Sequence, residues 1–207
     1  MIHSPFTMPA SPWFILASSS PRRQQLLAEA GYRFEVIPAD IDESRVPADL
    51  TPAEVASYLA TAKARVLADR HPQAVVLAAD TVVALGDRLL GKPTDAVDAR
   101  RMLSLLAGTT HHVTTGVAVH HGGSAHGDHM TSTVSMRPLS PTEIDAYVTG
   151  GLWQGKAGGY GIQDDDPFVT RIEGSLSNIV GLPMELAETM LARGGVVPCR
   201  INGARIA

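Results

Sequence analysis

Residues 17–23 read Ala-Ser-Ser-Ser-Pro-Arg-Arg, at the junction of an apolar segment and an amphipathic one. Ser20 is placed to cap a helix, and Pro21 suits its first position, where an amide hydrogen has no partner to lose. The remaining first-turn amides and the positive end of the helix dipole favour an anion, and the guanidinium forks of Arg22 and Arg23 match phosphate oxygens. Together they predict a phosphate cradle; an ordinary capped helix with two solvated arginines is the plainer alternative.

Carboxylates supply the second chemistry. Asp80 follows the nearly unbroken apolar run of residues 74–79, and a side chain at the end of a buried strand is held rigidly where α/β sheets place ligands. Its structural alternative is to cap a turn with Thr81. Asp42 and Glu43 alone read as a solvated loop, but convergence with Asp80 would create an oxygen-rich magnesium site. Residues 86–92, Gly-Asp-Arg-Leu-Leu-Gly-Lys, have P-loop spacing, yet Pro93 stands where that motif needs a magnesium-binding hydroxyl. Lys92 is therefore kept as a phosphate contact and the P-loop is set aside. Histidine is dense between His111 and His129, with His120, His121, His126 and His129 in one glycine-rich hairpin, but the spacing matches no helical pair or Cys/His ribbon expected of zinc.

The elements that must position these groups alternate between helix and strand. Residues 13–17 predict a buried strand, 21–30 a helix closed by Gly31, and 32–37 a second strand. Thr51-Pro52-Ala53-Glu54 is a capping box opening a helix to about Asp69, with Val55, Tyr58, Leu59, Ala62, Val66 and Leu67 inward and Lys63 and Arg65 on its polar face. Extended chain through residues 82–85 and a turn at Gly86-Asp87 precede a helix over 95–106. Residues 110–120 and 130–137 predict a hairpin with a loop over 122–127. A second capping box at Ser140-Pro141-Thr142-Glu143 starts a short helix, residues 156–163 are glycine-rich, 168–172 and 176–180 read as short strands, and 183–193 as a closing helix. Parallel-type and hairpin-type strands together imply a mixed α/β sheet.

Composition excludes several roles. At 207 residues, 44% hydrophobic and 18% charged, the chain suits one large domain or two small ones. A net charge of −4 and the absence of any Lys/Arg run argue against a nucleic-acid or membrane surface. The single Cys199 allows no internal disulfide, which fits a reducing, cytoplasmic setting. Residues 1–12, with Pro5, Pro9 and Pro12, lack the pattern of a signal peptide and read as a flexible tail in which Met8 offers a second start; 194–207 read as a C-terminal tail.

Five segments occur in the order and spacing of the Maf nucleotide pyrophosphatases: residues 17–23, Ala79-Asp80-Thr81, Gly91-Lys92-Pro93, residues 156–163 (Lys-Ala-Gly-Gly-Tyr-Gly-Ile-Gln) and Val180-Gly181-Leu182-Pro183. The chain resembles that family over residues 13–193, which would form a single domain. The resemblance implies an elongated, twisted mixed sheet flanked by helices, related to the inosine triphosphate pyrophosphatases and usually dimeric. It also implies a house-cleaning hydrolase that cleaves nucleoside triphosphates to monophosphate and pyrophosphate with a divalent metal, Mg2+ or alternatively Mn2+ or Co2+.

The Asp-Thr pair and the Tyr-Gly-Ile-Gln ending resemble the branch acting on dTTP and UTP rather than the sister branch that prefers 7-methyl-GTP and carries Asp-Gln. Carried over by position, Asp80 matches the catalytic general base, and Ser18, Arg22, Arg23, Lys63, Lys92 and Gln163 match substrate-binding residues, with Lys156 a further phosphate contact. Arg22, Thr81 and Gln163 match specificity positions, while Glu43 joins Asp80 as the expected metal pair. Ala79 stands where glycine is usual, Gly159 where alanine is usual, and Asp164-Asp165-Asp166 follows where a glycine is expected. Two other readings share these residues: a nucleotide-binding regulator of cell division with little turnover, and an enzyme preferring 7-methyl-GTP, ITP or other modified nucleotides.

Overall fold

A computed structural model of the chain describes residues 12–164 and 168–199. Strand β1 (Phe14–Leu16), helix α1 (Pro21–Glu29) and β2 (Glu35–Val36) open the fold, followed by α2 (Pro52–Arg70), β3 (Val75–Leu85), β4 (Arg88–Leu90) and α3 (Ala96–Leu106). The second half holds β5 (Thr110–His121), β6 (Ser124–Met136), α4 (Pro141–Thr149), β7 (Val169–Glu173), α5 (Leu176–Val180) and α6 (Met184–Arg193). Seven strands form one mixed sheet in the order β2-β1-β3-β5-β6-β7, with β4 also on β3. The pairs of β1 with β2 and β3 are parallel and the others antiparallel.

Strand β3 decides where the site lies. Along one edge it pairs with β5 from Val76 to Ala84. Along the other it meets β1 only at residues 75–77 and β4 only at 83–85, so on that edge no strand of the described residues lies beside 78–82. The gap opens just past the C-terminal end of β1, the position at which parallel strands expose ligand-binding crevices. Asp80 and Thr81 occupy it, in the middle of an eleven-residue strand rather than at a strand's tip as the apolar run had suggested.

Even-numbered β3 residues face α2. Ala60, Ala64, Leu67 and Ala68 pack there against Val76, Ala78 and Ala118. The expected orientation of α2 is off by a fraction of a turn: Tyr58 is exposed, whereas Ala56, Ala60, Ala64 and Lys63 are buried. An alanine at every fourth position lets the helix backbone sit close to the sheet, and packing follows that stripe instead of the larger apolar residues. Contact is closest at Gly116, opposite Asp80 in the register, where an added Cβ would lie 2.3 Å from the Ala56 carbonyl oxygen. Only glycine admits α2 at that distance.

The opposite face carries two apolar clusters. One joins Leu16, Leu77, Val117, Leu27 of α1 and Leu191 of α6; the other joins Val83, Val113, Leu103 of α3 and Tyr147 of α4. Thr81 lies on β3 between Ala79 of the first cluster and Val83 of the second.

Four further expectations are corrected. The loop expected over 122–127 is a two-residue turn at Gly122-Gly123, both at positive φ, and pairing resumes at His121 with Ser124. That turn matches the twist of paired strands, so the hairpin extends through the histidines. Residues 176–180 form a helix because the Ser175 hydroxyl accepts from the Asn178 amide at 3.3 Å, a cap that outweighs the apolar letters. The strand expected over 32–37 is reduced to Glu35–Val36 at the sheet edge. Residues 194–199, read as tail, are anchored by buried Val196 and by the Cys199 amide donating to Gly31 O at 2.8 Å. Both capping boxes form as expected. The expected tail over 1–12 lies, but for Pro12, outside the described residues. Among the described residues no helix is long and apolar enough to cross a membrane.

Candidate active site

The gap beside β3 opens into a cleft of about 450 Å³. Every residue singled out for binding, specificity or catalysis lines it: Ser18, Arg22 and Arg23 from the start of α1, Lys63 from α2, Asp80 and Thr81 from β3, Lys92 after β4, and Lys156 and Gln163 from the glycine-rich segment. Glu43, from a short 3₁₀ turn, lines it as well. Asp42 does not; it pairs instead with Arg45 at 3.0 Å on the exposed side of that turn. The acidic pair therefore divides into one cleft residue and one surface residue.

At the floor lies a short chain of charges. The Lys63 ammonium donates to Asp80 Oδ1 at 2.6 Å and contacts Glu43 Oε1 at 2.7 Å. Lys63 and Asp80 are each about 9% exposed or less, so this is a buried ion pair and not part of a solvated helix face, contrary to the expectation for Lys63. Burial alone would raise the Glu43 pKa, but the hydrogen bond from Lys63 and the charges of Lys63, Lys92 and Arg23 hold it below the usual carboxylate range. Two carboxylates sharing one cation position offer hard oxygen donors. Among the described residues no three His, Cys, Asp or Glu side chains converge to hold a metal by themselves, so a cation here would complete its shell with phosphate and water oxygens. That donor set suits Mg2+, which commonly uses one or two carboxylates plus substrate phosphates. The histidines of the hairpin form no such group either.

Above that floor, α1 presents its arginines differently from the expectation. The Ser20 side chain makes no capping bond; Ser18 Oγ accepts from the Ser20 amide at 3.2 Å instead, and the first-turn amides have no intrahelical partners. Arg23 is pinned at each nitrogen, with Nε donating to Gly181 O at 2.7 Å, Nη1 to Ser18 Oγ at 3.0 Å and Nη2 to Thr81 Oγ1 at 3.1 Å. Burial lowers its pKa to about 10, leaving it cationic at neutral pH. Arg22 donates to the carbonyls of Val180 and Gly155 at 3.4 Å each, and burial lowers its pKa against the opposing charge of Asp164.

The far wall contains residues that sequence reasoning missed. Lys156 donates to both oxygens of Asp164 at 2.5 Å, and the Tyr147 hydroxyl also donates to Asp164 and accepts from the Gly161 amide at 3.2 Å. Asp164 thus ties the glycine-rich segment to α4. Its neighbours Asp165 and Asp166 lie outside the described residues. Tyr160, also lining the cleft, is hydrogen-bonded at 2.6 Å to Nε2 of the fully buried His111. Burial raises the Tyr160 pKa and lowers that of His111 to about 4. Nothing in the histidine count separated His111 from its exposed neighbours; its place on the inward face of a strand was the available signal.

The model for Maf-like proteins matches residues 13–194. The chain belongs to the Maf-like protein family. Curated relatives called dTTP/UTP pyrophosphatase accompany that match. The protein of Myxococcus xanthus is 47% identical over 185 residues, spanning 88% of this chain and 92% of its own length. That of Cereibacter sphaeroides is 46% identical, spanning 88% and 95%, and that of Caulobacter vibrioides 45%, spanning 92% and 100%. A solved nucleoside-triphosphatase/dITP/XTP pyrophosphatase from Mycobacterium abscessus aligns over 59% of this chain and 73% of its own at a TM-score of 0.38 and 16% identity, which adds nothing to the assignment. In this Maf-like chain the five segments, dispersed between residues 17 and 183, contribute to the walls of one cleft.

Proposed function

We propose that this Maf-like protein hydrolyses nucleoside triphosphates to monophosphate and pyrophosphate, with dTTP and UTP as preferred substrates. The observation that carries the reading is the cationic surplus of one cleft, in which Arg22, Arg23, Lys63, Lys92 and Lys156 outnumber the paired carboxylates Glu43, Asp80 and Asp164. A polyanion of triphosphate charge is the ligand such a wall neutralises. The names of the relatives supply the pyrimidine preference. Gln163, exposed at the rim, can donate and accept, as the imide edge of thymine or uracil requires.

In this reading the arginines and lysines orient the phosphate chain and offset charge that grows on departing pyrophosphate. Lys63 fixes one Asp80 oxygen, which would leave the other to accept the proton of the attacking water. Ser18 uses its lone pairs on Arg23 and the Ser20 amide, which leaves its hydroxyl proton for a phosphate oxygen. Glu43 and Asp80 would hold Mg2+, with Mn2+ or Co2+ as alternatives; when bound, the ion supplies charge stabilisation at the phosphates. A homodimer belongs to the same proposal, and light scattering checks it.

Purified protein with Mg2+ should release pyrophosphate from dTTP and UTP faster than from ITP or 7-methyl-GTP. Asp80→Asn should lower kcat by at least about 100-fold, the range for loss of a general base. No pyrophosphate from the pyrimidine nucleotides, or an Asp80→Asn enzyme as fast as the parent, would overturn the assignment; tight binding without turnover would point to the regulatory role instead.

A further inference from the structure

Arg23 stands at the end of a hydrogen-bond chain to which the shorter contacts give a direction. On β5, the buried Thr115 hydroxyl donates to the Asn178 carbonyl at 3.0 Å. A hydroxyl has one proton, so in its 2.9 Å contact with Thr81 the Thr115 oxygen accepts and Thr81 donates. Thr81 Oγ1 is then an acceptor for Arg23 Nη2. At the far end Asn178 is itself anchored, its Nδ2 donating at 2.9 Å to Val113 O and to Ser132 Oγ. The chain therefore runs from β6 and β5 through α5 to the cleft.

Its consequence lies in what surrounds the guanidinium. All three nitrogens of Arg23 are held by neutral oxygens, and among the described residues it forms no ion pair. A cation so placed is oriented by its hydrogen bonds, feels Asp80 and Glu43 without direct pairing, and retains its charge for a ligand. Without the Thr115 hydroxyl, the acceptor left to the Thr81 proton among the described residues is Gly181 O at 3.4 Å, a carbonyl that also receives Arg23 Nε on its other lone pair. Thr81 would then turn toward Gly181 and leave the geometry in which it accepts from Arg23.

We propose that Thr115 is a positioning residue that acts through Thr81 to hold the Arg23 guanidinium in the plane that meets the triphosphate. The inference rests on the reading of the cleft as a triphosphate site. Thr81 gains a definite role as well, because with its only proton committed to Thr115 it serves Arg23 as an acceptor.

The test compares the full-length parent, Thr115→Val, Thr115→Ser, Arg23→Ala and the Thr115→Val/Arg23→Ala double variant. Calorimetry reads the binding of inorganic tripolyphosphate, and pyrophosphate release from dTTP and UTP gives kcat and KM. Thr115→Val should weaken tripolyphosphate binding and lower kcat/KM by roughly tenfold, about the effect of misplacing one charge-assisted hydrogen bond. Thr115→Ser should stay within about twofold of the parent, because the hydroxyl is retained. In the Arg23→Ala background Thr115→Val should change neither quantity by more than about twofold, since the arginine is the route of the effect.

An equal loss from Thr115→Val in both backgrounds, or unaltered tripolyphosphate binding in Thr115→Val, overturns the proposal. Should Thr115→Val not fold, Thr81→Val breaks the chain one bond nearer the arginine, and its loss must likewise vanish when Arg23 is alanine. A parent that fails to bind tripolyphosphate overturns both this inference and the triphosphate site. A parent that binds it without releasing pyrophosphate overturns the activity alone, and the binding comparison then decides on Thr115.

Discussion

Lys63→Met removes the cation between Asp80 and Glu43 while keeping an unbranched chain of similar length. Asp80, whose side chain is 11% exposed, would be left as a buried carboxylate without the ammonium that pairs with it. Breaking a buried pair from one side costs about 3–5 kcal/mol; the lower end applies here because the cleft admits water to Asp80. Glu43 contributes less than about 1 kcal/mol, since its side chain is half exposed and its pairing is screened. For a domain of this length each kcal/mol lowers Tm by about 2–4 °C, so Lys63→Met should melt roughly 6–12 °C below the parent at pH 7. Thermal unfolding followed by circular dichroism reads the difference. Adding Asp80→Asn to Lys63→Met removes the stranded charge and should recover a large part of the loss. A Tm drop below about 2 °C, or a double variant no more stable than Lys63→Met, would refute the view that this buried pair holds α2 to β3.

Gly116→Ala should destabilise the protein by about 1–3 kcal/mol in urea titration and reduce turnover, because the added methyl displaces α2 and with it Lys63; parent-like stability and activity would contradict the close approach. His111 provides a pH signature. Its folded pKa of about 4 lies below the unfolded 6.5, so between those values the unfolded chain binds the extra proton and stability falls as the pH is lowered. The loss is about 3 kcal/mol across that window, and it should be absent from the Tm profile of His111→Gln. An identical pH dependence in parent and variant would show that His111 is not buried neutral.

Part of the candidate site was legible in the letters. Arg22, Arg23, Asp80 and Lys92, singled out by type and place in the chain, reach the cleft, as do Ser18, Lys63, Thr81, Lys156 and Gln163, which the family resemblance added, whereas Tyr160 and its partner His111 were not singled out. Capping boxes also announced α2 and α4, because a cap is a contact between near neighbours in the chain. Whatever depends on a distant partner escaped, as the burial of Lys63 against Asp80 did, and so did two local signals. Residues 176–180 look like a strand until Ser175 takes the Asn178 amide, and the histidine hairpin looks like a loop until Gly122-Gly123 turns it.

Sequence alone therefore supplied the charged groups that gather at the cleft and the helices that local capping begins. Tertiary structure decided their relations. The halt of β1 at residue 16 and the return of β4 at residue 88 leave β3 uncovered beside Asp80. The alanine stripe and Gly116 draw α2 near enough for Lys63 to reach it, and Thr115 meets Thr81 only because β5 lies against β3. A spacing rule records neighbours along the chain; strand register and close packing join residues that the chain keeps apart.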